Sequence, residues 1–404
     1  MSSAPILQAA IKSDSQPDSS ISNRNLSNFT LFACALFVVL GIVTTLLGPI
    51  LPLLSVRWSI AITQAGSLFF WQFIASTLGT LVSGVVLAQR SFRFAVVIGV
   101  SLCLLGVAAL VRLDWSLGRY AVACYGFGLG TALPAINLAV AEDNPGRRAA
   151  SVSLLNFAWG LGAISGGVLL RLSHSLDVFL VVLSGLLVLG LIGSTICAVP
   201  DKAPPAAKET PGTPAGAWIW KLAPLIAFSM FLFVGIENAV AGWASSLALP
   251  SFSDAFTATN ANIAFWTFFL AARAMAPLAL RYFSEAKLLL ASIVLAGIGV
   301  LAFSFAASPA TILLACALAG AGIAPGFPLL ISRVSELIGA QHPAGTICFS
   351  FGGLGAATLP PLVGIVGARL SQPRAGLLLP LMGLLLLIPL TQRLTEVNRF
   401  STGS

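Results

Sequence analysis

Two residues on neighbouring apolar segments carry charge where charge is costly. FLFVGIENAVAGW, Phe231 to Trp243, is an apolar run interrupted by Glu237 and Asn238. An ionised carboxylate inside hydrocarbon costs roughly 2.5–3.5 kcal/mol on insertion scales, and intramembrane acids are functional sites by default. Of the thirteen acids, Glu237 alone lies deep in an apolar segment. The chemistry open to it is reversible protonation. Desolvation favours the neutral acid, and water or a cation entering beside it favours the anion. The anion also accepts strong hydrogen bonds from hydroxyl groups. The competing reading is a carboxyl buried for packing and hydrogen-bonded across helices. Arg273 is the one basic residue deep in an apolar segment. Four roles are open to it: an ion pair with Glu237, a gate contact with Glu336, attraction of an anion, or snorkelling toward an interface.

Amides and indoles surround these charges. Asn238 follows Glu237, and Gln72, Asn137 and Asn156 fall within the second, fourth and fifth apolar segments. Trp159 stands one turn from Asn156, and Trp243 lies six residues beyond Glu237. Amides pair donors with acceptors suited to hydroxyls, and indole adds a flat apolar face with one donor. That mixture suits a neutral polyhydroxylated solute better than a lipid or a multivalent anion. The expected substrate-binding set is Gln72, Asn137, Asn156, Trp159, Asn238 and Trp243. Glu237 is the expected proton-coupling group, with Arg273 and Glu336 as gate or ion-pair residues. Trp71 and Trp266 fit packing as well as they fit ligand contact.

No catalytic, cofactor or metal site can be assembled from this sequence. His174 and His342 sit in loop-like stretches, and the six Cys fall singly in apolar segments without metal or redox spacing. GFGLGTAL, Gly126–Leu133, mimics a phosphate-binding glycine string but lies in an apolar helix with no preceding strand. An enzyme is the least supported function.

Positioning such groups requires a bilayer. The 404 residues are 57% hydrophobic and 8% charged, against about 25% charged in soluble domains; mean hydropathy is +0.97. Apolar segments of about 20 residues, each long enough to span, recur along the chain. The net charge of +8 does not indicate nucleic acid, because the basic residues sit in short connections between those segments. Twelve helices are predicted, at 30–54, 61–88, 92–111, 117–141, 148–170 and 177–199, then 218–248, 261–283, 286–306, 310–338, 343–369 and 374–395. Residues 1–28 read as a disordered cytoplasmic tail before an uncleaved first span. Six helices over 29–199 and six over 218–395 flank a Pro-, Ala- and charge-rich cytoplasmic linker at 200–217, and a second tail occupies 396–404. Placing both termini in the cytoplasm puts fourteen basic residues inside and six outside, with Arg273 left in a helix. This satisfies the positive-inside rule.

The two halves repeat. LGI at Leu40–Ile42 matches VGI at Val234–Ile236, and Gly48 matches Gly242, at an offset of 194. FFWQF, Phe69–Phe73, matches AFWTF, Ala264–Phe268; GFGLGTALP, Gly126–Pro134, matches GAGIAPGFP, Gly320–Pro328; and GLGA recurs at Gly160 and Gly353. Four matches in order and at nearly constant offset make parallel repeats, the arrangement of transporters that rock about a midplane site. Glu237 falls where the first half has Val43, so the scaffold itself does not need the acid.

Twelve spans in two homologous halves with a charged central linker resemble the major facilitator superfamily. SGVVLAQRSFR, Ser83–Arg93, is similar to its signature loop, keeping Gly84, Arg90 and Arg93 but lacking the aspartate. VGIENAVAGW, Val234–Trp243, and SLLNFAWGLGA, Ser153–Ala163, resemble the fucose–galactose–glucose proton symporter and sodium-dependent glucose transporter-like group. The fucose permeases carry acids in the first and fourth helices, which this chain lacks; Leu133 stands at the fourth-helix position. The resemblance implies an all-α membrane protein of twelve transmembrane helices in two pseudo-symmetric bundles. It implies alternating access and uptake of a neutral sugar or similar small polar solute, coupled to protons or sodium. A monomer in the cell membrane is expected, without cofactor or nucleic acid. The rivals are a proton-driven exporter of drugs or metabolites and a non-transporting sensor on the same fold.

Overall fold

The computed structural model describes residues 27–144, 147–197, 217–331 and 343–401. Glu336, the tail at 1–26 and nearly all of the expected linker lie outside the described residues. The first half comprises α1 (Asn28–Thr44), α2 (Leu47–Arg57), α3 (Ile62–Ala65), α4 (Leu68–Gln89), α5 (Phe92–Ala109), α6 (Trp115–Asp143), α7 (Arg148–Ser173) and α8 (Leu176–Ile196). The second comprises α9 (Ala217–Ala248), α10 (Ala255–Ala279), α11 (Glu285–Phe305), α12 (Pro309–Ile323, with helix resuming over 326–331), α13 (Pro343–Arg369) and α14 (Leu378–Ser401). Among the described residues eleven helices are long and apolar enough to span, or twelve with α1 and α2 counted as one span bent by 43°. The chain is a multi-pass, all-helical membrane protein. Its described ends share one face, called here the terminal face; the opposite one is the distal face.

The halves are built alike. In the first, α7 packs on α1, and α6 packs on both α4 and α5; in the second, α13 packs on α9, and α12 packs on both α10 and α11. Glycine permits the closest of these contacts. A Cβ on Gly41 would collide with the carbonyl oxygen of Trp159, and one on Gly162 with that of Val38. Their repeat partners behave identically, Gly235 meeting the carbonyl of Gly355, and Gly355 that of Phe231. Without a hydrophobic driving force between helices in lipid, such backbone approach is what holds them together.

Several boundaries differ from the sequence prediction: the second span breaks between α3 and α4, α12 is interrupted at 324–325, and α14 runs from Leu378 to Ser401, six residues into the expected tail. Two further differences bear on the site. Helix α10 begins at Ala255 rather than 261, because Asp254 accepts from the Thr257 amide and the Thr257 hydroxyl answers the Asp254 backbone, a reciprocal cap. The first span is broken at Thr45. Pro49 has no N–H, and the Gly48 amide donates to Thr45 O at 3.2 Å instead of to Thr44 O. The Thr44 carbonyl is thereby freed from the helix ladder.

Candidate functional site

Glu237 sits at the midpoint of the span Ala223–Ser251. It lies deep in the protein but keeps some accessible surface, so it is neither packed dry nor exposed on a terminal loop. Arg273 lies six residues past the midpoint of its own span, Ala255–Ala279, about 9 Å nearer the terminal face at 1.5 Å per residue. The earlier start of α10 thus removes the equal depth that a helix over 261–283 implied. The two charges lie within electrostatic reach, but no salt bridge within 4.0 Å joins them among the described residues. Arg273 instead lays its guanidinium over the Phe269 ring at 4.4 Å, leaving Nε buried without a partner.

The halves meet from the distal side down to and slightly past the depth of Glu237, where a Cβ on Gly160 would meet the Leu270 side chain and one on Gly353 the Thr77 hydroxyl. Helix α9 packs on α2, α10 on α7, and α13 on α4. Gly48 and Gly242, equivalent in the repeat, face each other here: a Cβ on Gly48 would lie 3.6 Å from the Cα of Gly242. Residues related by a two-fold can touch one another only near its axis, so the pseudo-symmetry axis runs through this contact. Trp159 and Trp266, one from each half, stand edge to face at 5.6 Å. Nearer the distal face, Arg171 donates to Asn260 across the seam. Trp243, six residues or about 9 Å beyond Glu237, wedges its ring between Gly66 of the first half and Gly364 of the second.

That wedge corrects one sequence expectation. Trp243 is 2% exposed, and its indole donates to Pro360 O at 2.7 Å; it closes the seam and is not open to a solute. Gln72 is a second correction. It is 1% exposed, gives its amide hydrogen to the freed Thr44 carbonyl at 2.7 Å and accepts from the Tyr125 hydroxyl at 3.1 Å. Both ends of this amide are spent, one on the broken helix and one on Tyr125 of α6. A Gly-Pro pair one turn past Thr44, with a glutamine in the next span, was the sequence signal for it.

The remaining amides keep capacity to spare. Asn137, Asn156 and Asn238 each donate only to the carbonyl four residues earlier in their own helices. Asn156 is exposed and Asn238 half-buried, while Asn137 Oδ1 is buried without a partner. Trp159 donates to the Thr44 hydroxyl at 3.3 Å. A cavity of about 20 Å³ lies where the halves join, walled by Thr44, Thr45 and Gly48 on one side and Asn238, Asn262 and Trp266 on the other. Asn262 and Trp266 were missed as a pair by sequence reasoning, although they stand one turn apart. Among the described residues no group of His, Cys, Asp and Glu could hold a metal.

No family model matches the sequence, and no curated protein matches it. Solved structures do. The major facilitator superfamily transporter FucP, in its outward conformation, is 17% identical over 90% of this chain and 98% of its own, with a TM-score of 0.62. The chain has the major facilitator fold. The nucleoside transporter NupG shares that fold at a TM-score of 0.73, with 14% identity over 91% of this chain and all of its own. A D-xylose–proton symporter does so at 0.71, with 15% identity over 88% and 95%. The two-bundle architecture, with α2, α4 and α7 set against α9, α10 and α13, fits that fold.

Proposed function

We propose that this chain is a secondary active transporter that moves a small polar, hydroxyl-bearing solute by alternating access, coupled to protons at Glu237. The observation that carries this reading is Glu237 at mid-span, with accessible surface left to it while Trp243 closes the seam about 9 Å to its distal side. Access to the carboxyl then comes from the terminal face, which the distribution of basic residues assigns to the cytoplasm. On this reading the state is one closed on the distal side. FucP, captured outward, has the higher identity but the lower TM-score of the three solved structures, which fits a difference in state. The two bundles, about 29–199 and 218–395, are the rocking bodies. Asn238, Asn156, Asn137 and Trp159 are the polar groups available to solute, and Arg273 sets the field around Glu237 from the cytoplasmic side. The solved relatives include sugar and nucleoside carriers, which supports a polyhydroxylated cargo.

Purified protein screened for thermal stabilisation by sugars and nucleosides identifies the cargo. In proteoliposomes, a pH gradient should then drive its accumulation without sodium. Glu237→Gln should abolish that accumulation and leave solute exchange. Undiminished gradient-driven uptake by the variant would remove Glu237 from the mechanism.

A further inference from the structure

A cavity the size of one water lies at the seam beside Asn262 and Trp266, and one polar atom of each residue is unmatched. Asn262 Oδ1 and Trp266 Nε1 are both buried without a hydrogen-bond partner, in residues 1% and 3% exposed. The two residues are four apart on α10 and so share one of its faces. The Asn262 amide nitrogen is committed to Ala241 O at 2.8 Å, which fixes the oxygen as the free end. Buried groups of this kind nearly always have partners, and leaving them unmet opposes closure of the halves. A cation does not suit the pair, because indole N–H is a donor only. An anion does not suit it either, because the amide oxygen is an acceptor. A hydroxyl, which donates and accepts at once, has the chemistry that both call for.

We propose that Asn262 and Trp266 form a subsite that reads one hydroxyl group of the transported solute, with Asn238 as the adjoining polar wall. The inference rests on the transporter reading above. When the halves part on the distal side, the pair faces the incoming solute. When they shut, one hydroxyl, or a water in its absence, remains in the cavity. The subsite gives the carrier a way to weigh a single hydroxyl at the moment of closure, because a solute lacking it leaves two buried groups unpaired.

The test uses the purified full chain with D-xylose, L-fucose, D-glucose and uridine as probes, each compared with its mono-deoxy analogues. Trp266→Phe keeps the ring that packs on Trp159, Phe265 and Phe269 and removes the N–H. It should weaken the best probe roughly 2- to 10-fold. One deoxy analogue should bind wild type and variant equally, since the hydroxyl and the donor are then missing from the same contact. An equal loss across all probes and analogues would overturn the subsite and leave the cavity to water alone. Failure of every probe to bind wild type would instead overturn the polyhydroxylated-cargo reading, and the subsite with it. Should Trp266→Phe not fold, Asn262→Ser carries the same comparison. A wild-type structure with probe bound decides the matter without variants: a hydroxyl within hydrogen-bond distance of both atoms supports the subsite, and its absence there removes it.

Discussion

Thr44 loses its intrahelical donor at the break before Pro49, and Gln72 supplies another from the neighbouring helix while receiving the Tyr125 hydroxyl. Gln72→Leu would strand a buried carbonyl and a buried hydroxyl, each worth about 1–3 kcal/mol when left unpaired. A clear fall in the thermal midpoint is expected, with the half-saturation constant of surviving protein unchanged. A raised constant at unchanged midpoint would return Gln72 to the solute. The same residue shows what the sequence could not convey. An amide in an apolar helix has one signature whether it faces a cavity or a backbone carbonyl, and Gln72 and Trp243 were both read as ligand groups for that reason. Glu237 and Arg273 were legible because no apolar helix carries a charge by default. Their separation in depth was not, since it depends on where α10 begins.

At the scale of elements, the spans and their pairing were legible from apolar length and from the repeat. The reciprocal glycine contacts explain why GLGA recurs: Gly162 and Gly355 each admit a backbone carbonyl from the helix opposite. Gly162→Val and Gly355→Val should each cost about 1–3 kcal/mol by overpacking, seen as lowered thermal midpoints of similar size. Gly297→Ala, with nothing within 4 Å, should leave the midpoint in place. Unequal effects of the two valines would break the claimed equivalence of the halves. The start of α10 was misread because its reciprocal cap uses Thr257 where Glu or Gln is usual. The caps also give a pH dependence. Hydrogen bonds from the Ser116 side chain and the Leu117 amide hold Asp114 below its ordinary carboxyl range, and those from Thr257 and Ser253 hold Asp254 below its own. A depressed folded value means stability present above the ordinary 3.8 and lost as pH falls through the folded value. Asp254→Asn should therefore flatten the fall of the thermal midpoint as pH drops below 3.8, relative to wild type.

For the whole molecule, the alternating-access reading proposed above makes the relevant equilibrium which face of the seam is shut. In the state described the distal side is closed by a ring from one half set against a glycine of the other, Trp243 on Gly66, with Arg171 and Asn260 joined beyond it. A valine at Gly66 fills the space that the indole occupies, and it does so across the seam. Parting the halves there is the relief open to it. Overpacking of about 1–3 kcal/mol, felt only in the closed state, shifts the ratio of the two states roughly 5- to 150-fold toward distal-open. Spin labels at Leu113 and Ser371, on distal connections of opposite halves, report the shift in a background with the native cysteines replaced. Gly66→Val should add a longer-distance population, and the same change should make Glu237-dependent binding sensitive to pH on the distal side. Gly364→Val is the matched control, because Gly364 meets the same ring from within the second half; it strains that half without levering the two apart. If both valines leave the distance distribution as it was, Trp243 is core packing, and closure of the distal face has to be sought at Arg171 and the paired tryptophans instead.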